Sequence, residues 1–319
     1  MNVLSREQYT ARYLNQLPRV LTSQSISKNR LHAGAASGAF VKLLPGCYVE
    51  DTQLPSAHLP TYMQVNERAK LQLAAGIVGL REDEALSHWS AGIAWDLPWY
   101  GTDTRVHILR TDCKGLPRTG TAIHTSINKP YLVTTPDGIT LTNLEQTVVH
   151  LAAASHPSVG LAYLDHAQRI GASAMSLRTV CDETLVRGRA KVQRLIGLSV
   201  NNSDSAKESE CRYWLYKARV ENVETQYRVD TELGTFYADM WVKDTPLLFE
   251  YDGESKYSDD PRALFKEKQR EDALRAAGFV VVRVTSRHLN NPERFMIEVR
   301  HRLTSHNYSV PAKGGRQVP

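Results

Sequence analysis

The stretch from Phe236 to Lys256, FYADMWVKDTPLLFEYDGESK, constrains the fold more than any other part of the chain. Its apolar residues Phe236, Ala238, Met240 and Val242 alternate with others, Lys243-Asp244-Thr245-Pro246 has turn chemistry, and Leu247-Leu248-Phe249-Glu250-Tyr251-Asp252-Gly253 follows. This predicts a β-hairpin that runs into a glycine turn. With Asp244 and Thr245 as the loop, although Asp-Thr is not a favoured two-residue turn, Trp241 pairs with Leu248 and Asp239 lies across from Glu250. Strand side chains alternate between faces, so Asp252 joins Glu250 and Asp239 on one side. Three carboxylates placed together repel and need compensation, which a bound hard divalent cation commonly supplies.

A chain of 319 residues exceeds what one core comfortably holds, so two or three domains are expected. Hydrophobic residues at 42% and charged residues at 23% describe an ordinary globular protein and exclude a disordered or fibrous one. The excess of 39 Lys+Arg over 34 Asp+Glu is mild; it permits a nucleic-acid partner without requiring one. Cys47, Cys113, Cys181 and Cys211 are far apart and lack zinc-ligand spacing, which predicts buried, reduced thiols in a reducing compartment. The opening MNVLSREQYTARYL places Arg6 and Glu7 where a signal peptide needs an apolar run, and no window approaches a membrane span. A cytoplasmic protein without a membrane partner is expected.

The fold class read from the whole chain is α+β and multidomain. Residues 1–58 give a helix from Glu7 to Leu17 closed by Pro18, a short capped helix at Ser23–Ile26, and a third helix opening at Ser27. Ala39–Leu44, Pro45-Gly46 and Cys47–Val49 then read as strand, turn, strand, which completes a winged helix-turn-helix pattern. In that pattern the third helix would present Lys28, Asn29, Arg30 and His32 to DNA, with Lys42 and Gly46 in the wing. The alternatives are ordinary surface polarity and a protein-interaction module.

Residues 59–200 read as a central α+β domain. Helices are expected over Val65–Val78, from Ala85 to Gly92 with Ser87 as cap, and at Asn143–Ala154, Gly160–Arg169 and Leu177–Arg187, with strands near Arg105–Arg110, Ala122–Thr125 and Gly138–Leu141. Ser87, His88 and Ser90 suggest a hydrolase only superficially, because no acidic partner or nucleophile-elbow glycines accompany them; His88 reads as a capping or packing residue. The polar run Asn201–Lys207 marks the next boundary. Residues 201–304 then give a helix with Glu210, strands, a helix opening at Pro261 and stopping at Gly278, and a buried strand Phe279–Val284. That order predicts a sheet flanked by helices. Residues 305–319 carry no periodicity and read as a disordered tail.

The segment from about Ser205 to Leu289 resembles the nuclease-like domains of the PD-(D/E)XK superfamily, in the branch similar to the very-short-patch repair endonuclease. The resemblance lies in Glu210 on a helix, Asp239 on a strand, Glu250-Tyr251-Asp252-Gly253 at a strand end, Arg270 with Leu274, Gly278, and Val281-Val282-Arg283; Gln226 matches a glutamine before the first strand. The winged unit in front resembles AbiEi-type antitoxin and abortive-infection proteins, and Ser87–Ala91 with Ile139–Thr142 resembles their central domain. One departure is that Asp252 stands where the superfamily motif has lysine. Lys256, after the glycine turn, is the first substitute and Lys268 the second.

The resemblance implies phosphodiester hydrolysis with Mg²⁺ or Mn²⁺ held by Asp239 and Glu250, and Asp252 and Glu210 as further or water-mediated ligands. Lys256 would orient the attacking water or stabilise the charged phosphorane, while Arg270 and Arg283 would bind phosphate or hold the carboxylates in place. Arg270 and Lys268 pairing with neighbouring acids, and Arg283 in a buried ion pair, are the purely structural alternatives. Two functional classes follow: a metal-dependent DNA endonuclease in phage defence or repair, or a non-catalytic DNA-binding regulator of antitoxin type that keeps the nuclease fold as a scaffold. The expected partners are DNA, a toxin or defence-system protein, and a second copy of the chain, since winged-helix proteins often read paired half-sites.

Overall fold

The structure, a computed structural model, describes residues 6–98, 101–110, 118–125, 128–253 and 261–306. It is an α+β chain that divides into two units, one of Met1–Ala154 with Ala172–Arg194, the other of Ser155–Gly171 with Leu195–Pro319.

The chain begins with α1 (Arg6–Leu14) and α2 (Lys28–Ser37). Ser27 caps α2 by accepting from the Arg30 amide, and Gly38 at φ 79 closes it in the left-handed conformation that glycine adopts without strain. The short helix expected at Ser23–Ile26 is instead a turn, in which the Ser25 and Ile26 amides both donate to the Thr22 carbonyl at 3.0 Å. So few residues cannot offset the cost of helix nucleation. Next come β1 (Phe40–Leu44) and β2 (Cys47–Glu50), an antiparallel pair turned at Gly46, φ 78. The hairpin packs on α3 (Thr61–Val78), with the Cys47 thiol 3.6 Å from the Ala75 carbonyl. The N-terminal hairpin and the segment that follows it therefore share one unit.

Then β3 (Glu84–Leu86), α4 (His88–Ala94), β4 (Val106–Arg110), β5 (Thr121–Thr125), β6 (Leu132–Thr134) and β7 (Thr140–Thr142) build a sheet of order β5-β4-β3-β7-β6 with α4 beside it. The helix expected from Ala85 starts only at His88. All three residues of β3 are buried, so the strand lacks the alternation that identifies a half-buried one. Glu84 binds it to its surroundings, pairing with Arg110 and Arg118 at 2.6 Å each. α5 (Leu144–Ala154) packs on α4.

α6 (Pro157–Arg169) belongs to the second unit, whereas α7 (Ala174–Thr184) returns to pack on α5, and α8 (Arg189–Leu198) follows. The placement of α6 has an electrostatic cause. Its buried Asp165 pairs with Arg212 of α9 (Ala206–Lys217) and accepts the Val200 amide at 2.8 Å.

β8 (Val223–Thr231), β9 (Gly234–Val242), β10 (Leu247–Tyr251), α10 (Pro261–Ala276) and β11 (Val280–Val284) follow, with sheet order β11-β10-β9-β8. β10 and β11 are parallel, joined by α10, and the other pairs are antiparallel. Leu248 pairs with Trp241, the register that the apolar pattern predicts. α11 (Ser286–Leu289) and α12 (Pro292–Ser305) end the described chain. One face of the sheet packs Met240, Val242 and Phe249 on Cys211, Leu215, Phe295 and Val299 of α9 and α12, and the other packs Ala238 and Leu248 on Leu274 of α10. Each such buried leucine or phenylalanine contributes about 1.5–3 kcal/mol. Among the described residues no helix is long and apolar enough to cross a membrane.

Candidate functional site

The hairpin brings Asp239 to the end of β10, where its Oδ2 accepts the Tyr251 amide at 2.7 Å. The acidic side chains nevertheless divide between two environments. Ala238 packs toward α10 but Met240 toward α9, so the alternation of faces along β9 slips by one residue at Asp239. The partner strand slips at the same level. Val223 packs with the α9 side and Tyr227 with the α10 side, although both have the same parity, and Gln226 between them has φ 51.

On the α10 side, Glu250 is buried and clamped by two arginines. Arg270 reaches it twice, Nη2 to Oε1 at 2.5 Å and Nη1 to Oε2 at 2.9 Å, and Arg283 Nη1 adds a third contact to Oε2 at 3.2 Å. Arg283 is Glu250's register partner on β11, and it also pairs with Glu267 and Glu271. Burial opposes the charge on Arg283, but the hydrogen bond to Glu267 and the negative charges of Glu250, Glu267 and Asp252 outweigh it and raise its affinity for its proton. On the α9 side, Gln226 Nε2 donates to Glu208 Oε2 at 3.2 Å, and Glu210 is buried against Lys207 at 2.9 Å. Burial first, then the negative charges of Asp239, Glu208 and Glu210, pushes the Cys211 thiol up. Lys268 is exposed, and Lys256 lies outside the described residues.

The negative charge of Glu250 is met by guanidinium groups of the chain itself. Both oxygens of Glu250 face guanidinium groups, Oε1 that of Arg270 and Oε2 those of Arg270 and Arg283. Compensation for the buried charge comes from Arg270 and Arg283, which hold the carboxylate in place.

The N-terminal residues expected to meet nucleic acid are all at the surface. Lys28, Asn29, Arg30 and His32 of α2 are exposed, Leu31 alone among these neighbours turns into the core, and Lys42 is exposed on β1.

A cluster of histidines in the first unit had no counterpart among the expectations. His107 on β4 and His124 on β5 share a face diagonally, because His107 pairs with Ala122 and Leu109 with His124. His107 Nδ1 lies 3.0 Å from His124 Nε2. His88, at the start of α4, stacks on His124 with ring centroids 3.6 Å apart, and His150 of α5 lies 5.1 Å from His88. Burial, reinforced by the neighbouring histidines, holds His88 well below its ordinary pKa; His124 and His150 are brought down to about 4, by burial before anything else. Burial also lowers His107, against the raising effect of Asp103. All four rings are thus neutral at neutral pH. His88 therefore neither caps α4 with its side chain nor serves a hydrolase triad; it packs among other imidazoles. The histidines lie on four separate elements, so no short motif announces them. The available signal was a histidine inside the otherwise apolar run Val106–Leu109 and another directly after Ala122-Ile123.

No family model matches the chain, and no curated protein matches it. Among solved structures it is similar to a crystal structure of the RV2827C protein from Mycobacterium tuberculosis, at 14% identity over 64% of this chain and 78% of that one, with a TM-score of 0.33. A likeness of that size carries no argument about this chain.

Proposed function

We propose that the protein is a DNA-binding regulator of the antitoxin kind, in which the C-terminal nuclease-like sheet serves as a scaffold. The observation that carries this reading is the double-arginine clamp on Glu250. A carboxylate that accepts two guanidinium hydrogen bonds and adds an ion-pair contact to a second arginine has little left for a metal, and the clamp is what a structural ion pair requires. The exposed Lys28, Asn29, Arg30 and His32, on a helix anchored through buried Leu31, supply the cationic and amide groups that phosphates and base edges accept.

A second reading, the Mg²⁺-dependent DNA endonuclease, is favoured by the register that brings Asp239 to Tyr251 beside Glu250. It requires Arg270 and Arg283 to release Glu250. The regulator reading is tested by electrophoretic shift of short duplexes in chelator. Wild type should bind, and the Lys28→Ala, Arg30→Ala double variant should lose affinity, with the slope of log K against log salt reduced by roughly 2. Unchanged affinity and slope in the double variant would remove α2 as the contact.

A further inference from the structure

We infer that His88, His107 and His124 form a binding site for one borderline transition-metal ion of the Zn²⁺ class, separate from the carboxylates of the C-terminal unit. Each of the three offers a ring nitrogen, and these nitrogens all lie within 4.8 Å of one another. His107 Nδ1 and His124 Nε2, at 3.0 Å, are already close to the separation of roughly 3.3 Å that two nitrogens take around a tetrahedral ion with Zn–N bonds of about 2.0–2.1 Å. An ion between them would replace the single hydrogen bond that two neutral rings can share.

The surroundings supply what a ligating histidine needs. If His107 binds through Nδ1, its proton sits on Nε2, which is 3.3 Å from Asp103 Oδ2. Asp103 is itself fixed by Arg105, with contacts of 3.0 Å to Oδ1 and 2.6 Å to Oδ2. This is the carboxylate–histidine arrangement that orients a metal-bound imidazole. As the ring stands, the buried His107 Nε2 lies at ion-pair distance from Asp103 but outside good hydrogen-bond geometry. Apolar packing does not explain this. A buried imidazole nitrogen outside hydrogen-bond geometry is costly, and Val, Ile and Leu fill the neighbouring positions of the same strands.

His88 is held at φ 44, a left-handed conformation sparsely populated outside glycine, which aims its ring into the cluster. On the far side, Thr184 Oγ1 donates to the Val180 carbonyl and so accepts from His150 Nε2 at 3.2 Å. That fixes the His150 tautomer with its Nδ1 lone pair unprotonated, an additional neutral imidazole beside His88. Three imidazoles and no carboxylate among the direct donors exclude Mg²⁺ and Ca²⁺, which take oxygen, and suit Zn²⁺, Co²⁺, Ni²⁺ or Cu²⁺.

The test uses the full chain, stripped with chelator and titrated with Zn²⁺ by calorimetry and with Co²⁺ by visible absorption. Wild type should bind one ion per chain and give ligand-field bands with Co²⁺. His107→Gln and His124→Gln should abolish that binding, Asp103→Asn should weaken it about 10–100-fold, and Glu250→Gln should leave it unchanged. No saturable binding by wild type, or unchanged binding in His124→Gln, would overturn the inference. Should the histidine variants fail to fold, X-ray absorption on the wild-type Zn²⁺ or Co²⁺ protein decides. Three imidazole scatterers are expected, and a shell of oxygen alone contradicts the site.

Discussion

The two clusters of titratable side chains in this protein differ in how their polarity is satisfied. In the C-terminal unit, Glu250 faces two arginines and Glu210 a lysine, so the acids that resemble a metal site by spacing are neutralised from within the fold. In the N-terminal unit, His88, His107 and His124 face chiefly one another, and a buried nitrogen of His107 finds no hydrogen bond. Residue type alone would assign the metal to the carboxylates. Partner accounting assigns it to the imidazoles.

This contrast is broken most forcefully at Glu250. Glu250→Ala leaves Arg270 and Arg283 in a partly buried site without their central anion, and loss of one member of a buried ion pair costs about 3–5 kcal/mol. Urea unfolding should show a loss of that order, with an unchanged slope. A loss below about 1 kcal/mol would mean that the clamp is loose, and that the carboxylate is available to a metal. A smaller effect is expected from pH acting on the histidines of the chelated protein. The unfolded chain protonates His124 and His150 near 6.5, the folded one near 4, so between those values the unfolded state binds more protons. Stability is therefore fully present above pH 6.5 and declines as the pH falls toward 4, by about 1.4 kcal/mol for each unit of difference. Melting temperatures measured from pH 7.5 to 5 should fall in the wild type and fall less in His150→Gln. Equal slopes would show that the ring is solvated.

The same physics explains what could be read from the chain. The order of elements along the C-terminal segment and the Trp241–Leu248 register were legible because apolar alternation and a turn fix a hairpin locally. The shift in facing along β9 at Asp239 was not legible. It depends on a one-residue slip at Gln226, where a non-glycine residue adopts φ 51, and no residue preference announces that. β3 was read as the start of a helix because three fully buried residues give no period. The pairing of Glu250 with Arg270 and Arg283 was among the alternatives, since Arg270 lies on the crossover helix and Arg283 on the parallel neighbour strand. The histidine cluster was out of reach because its members come from α4, β4, β5 and α5, and only the tertiary fold brings them together.

The most direct test of the regulator reading is incubation of purified wild-type and Asp239→Ala protein with supercoiled plasmid and short duplexes, with Mg²⁺, with Mn²⁺ and with chelator. The account predicts that both proteins shift the DNA equally under all three conditions and that neither cuts it. Metal-dependent cleavage by the wild type that disappears in Asp239→Ala would contradict it, and would show that the arginine clamp opens to form a nuclease site.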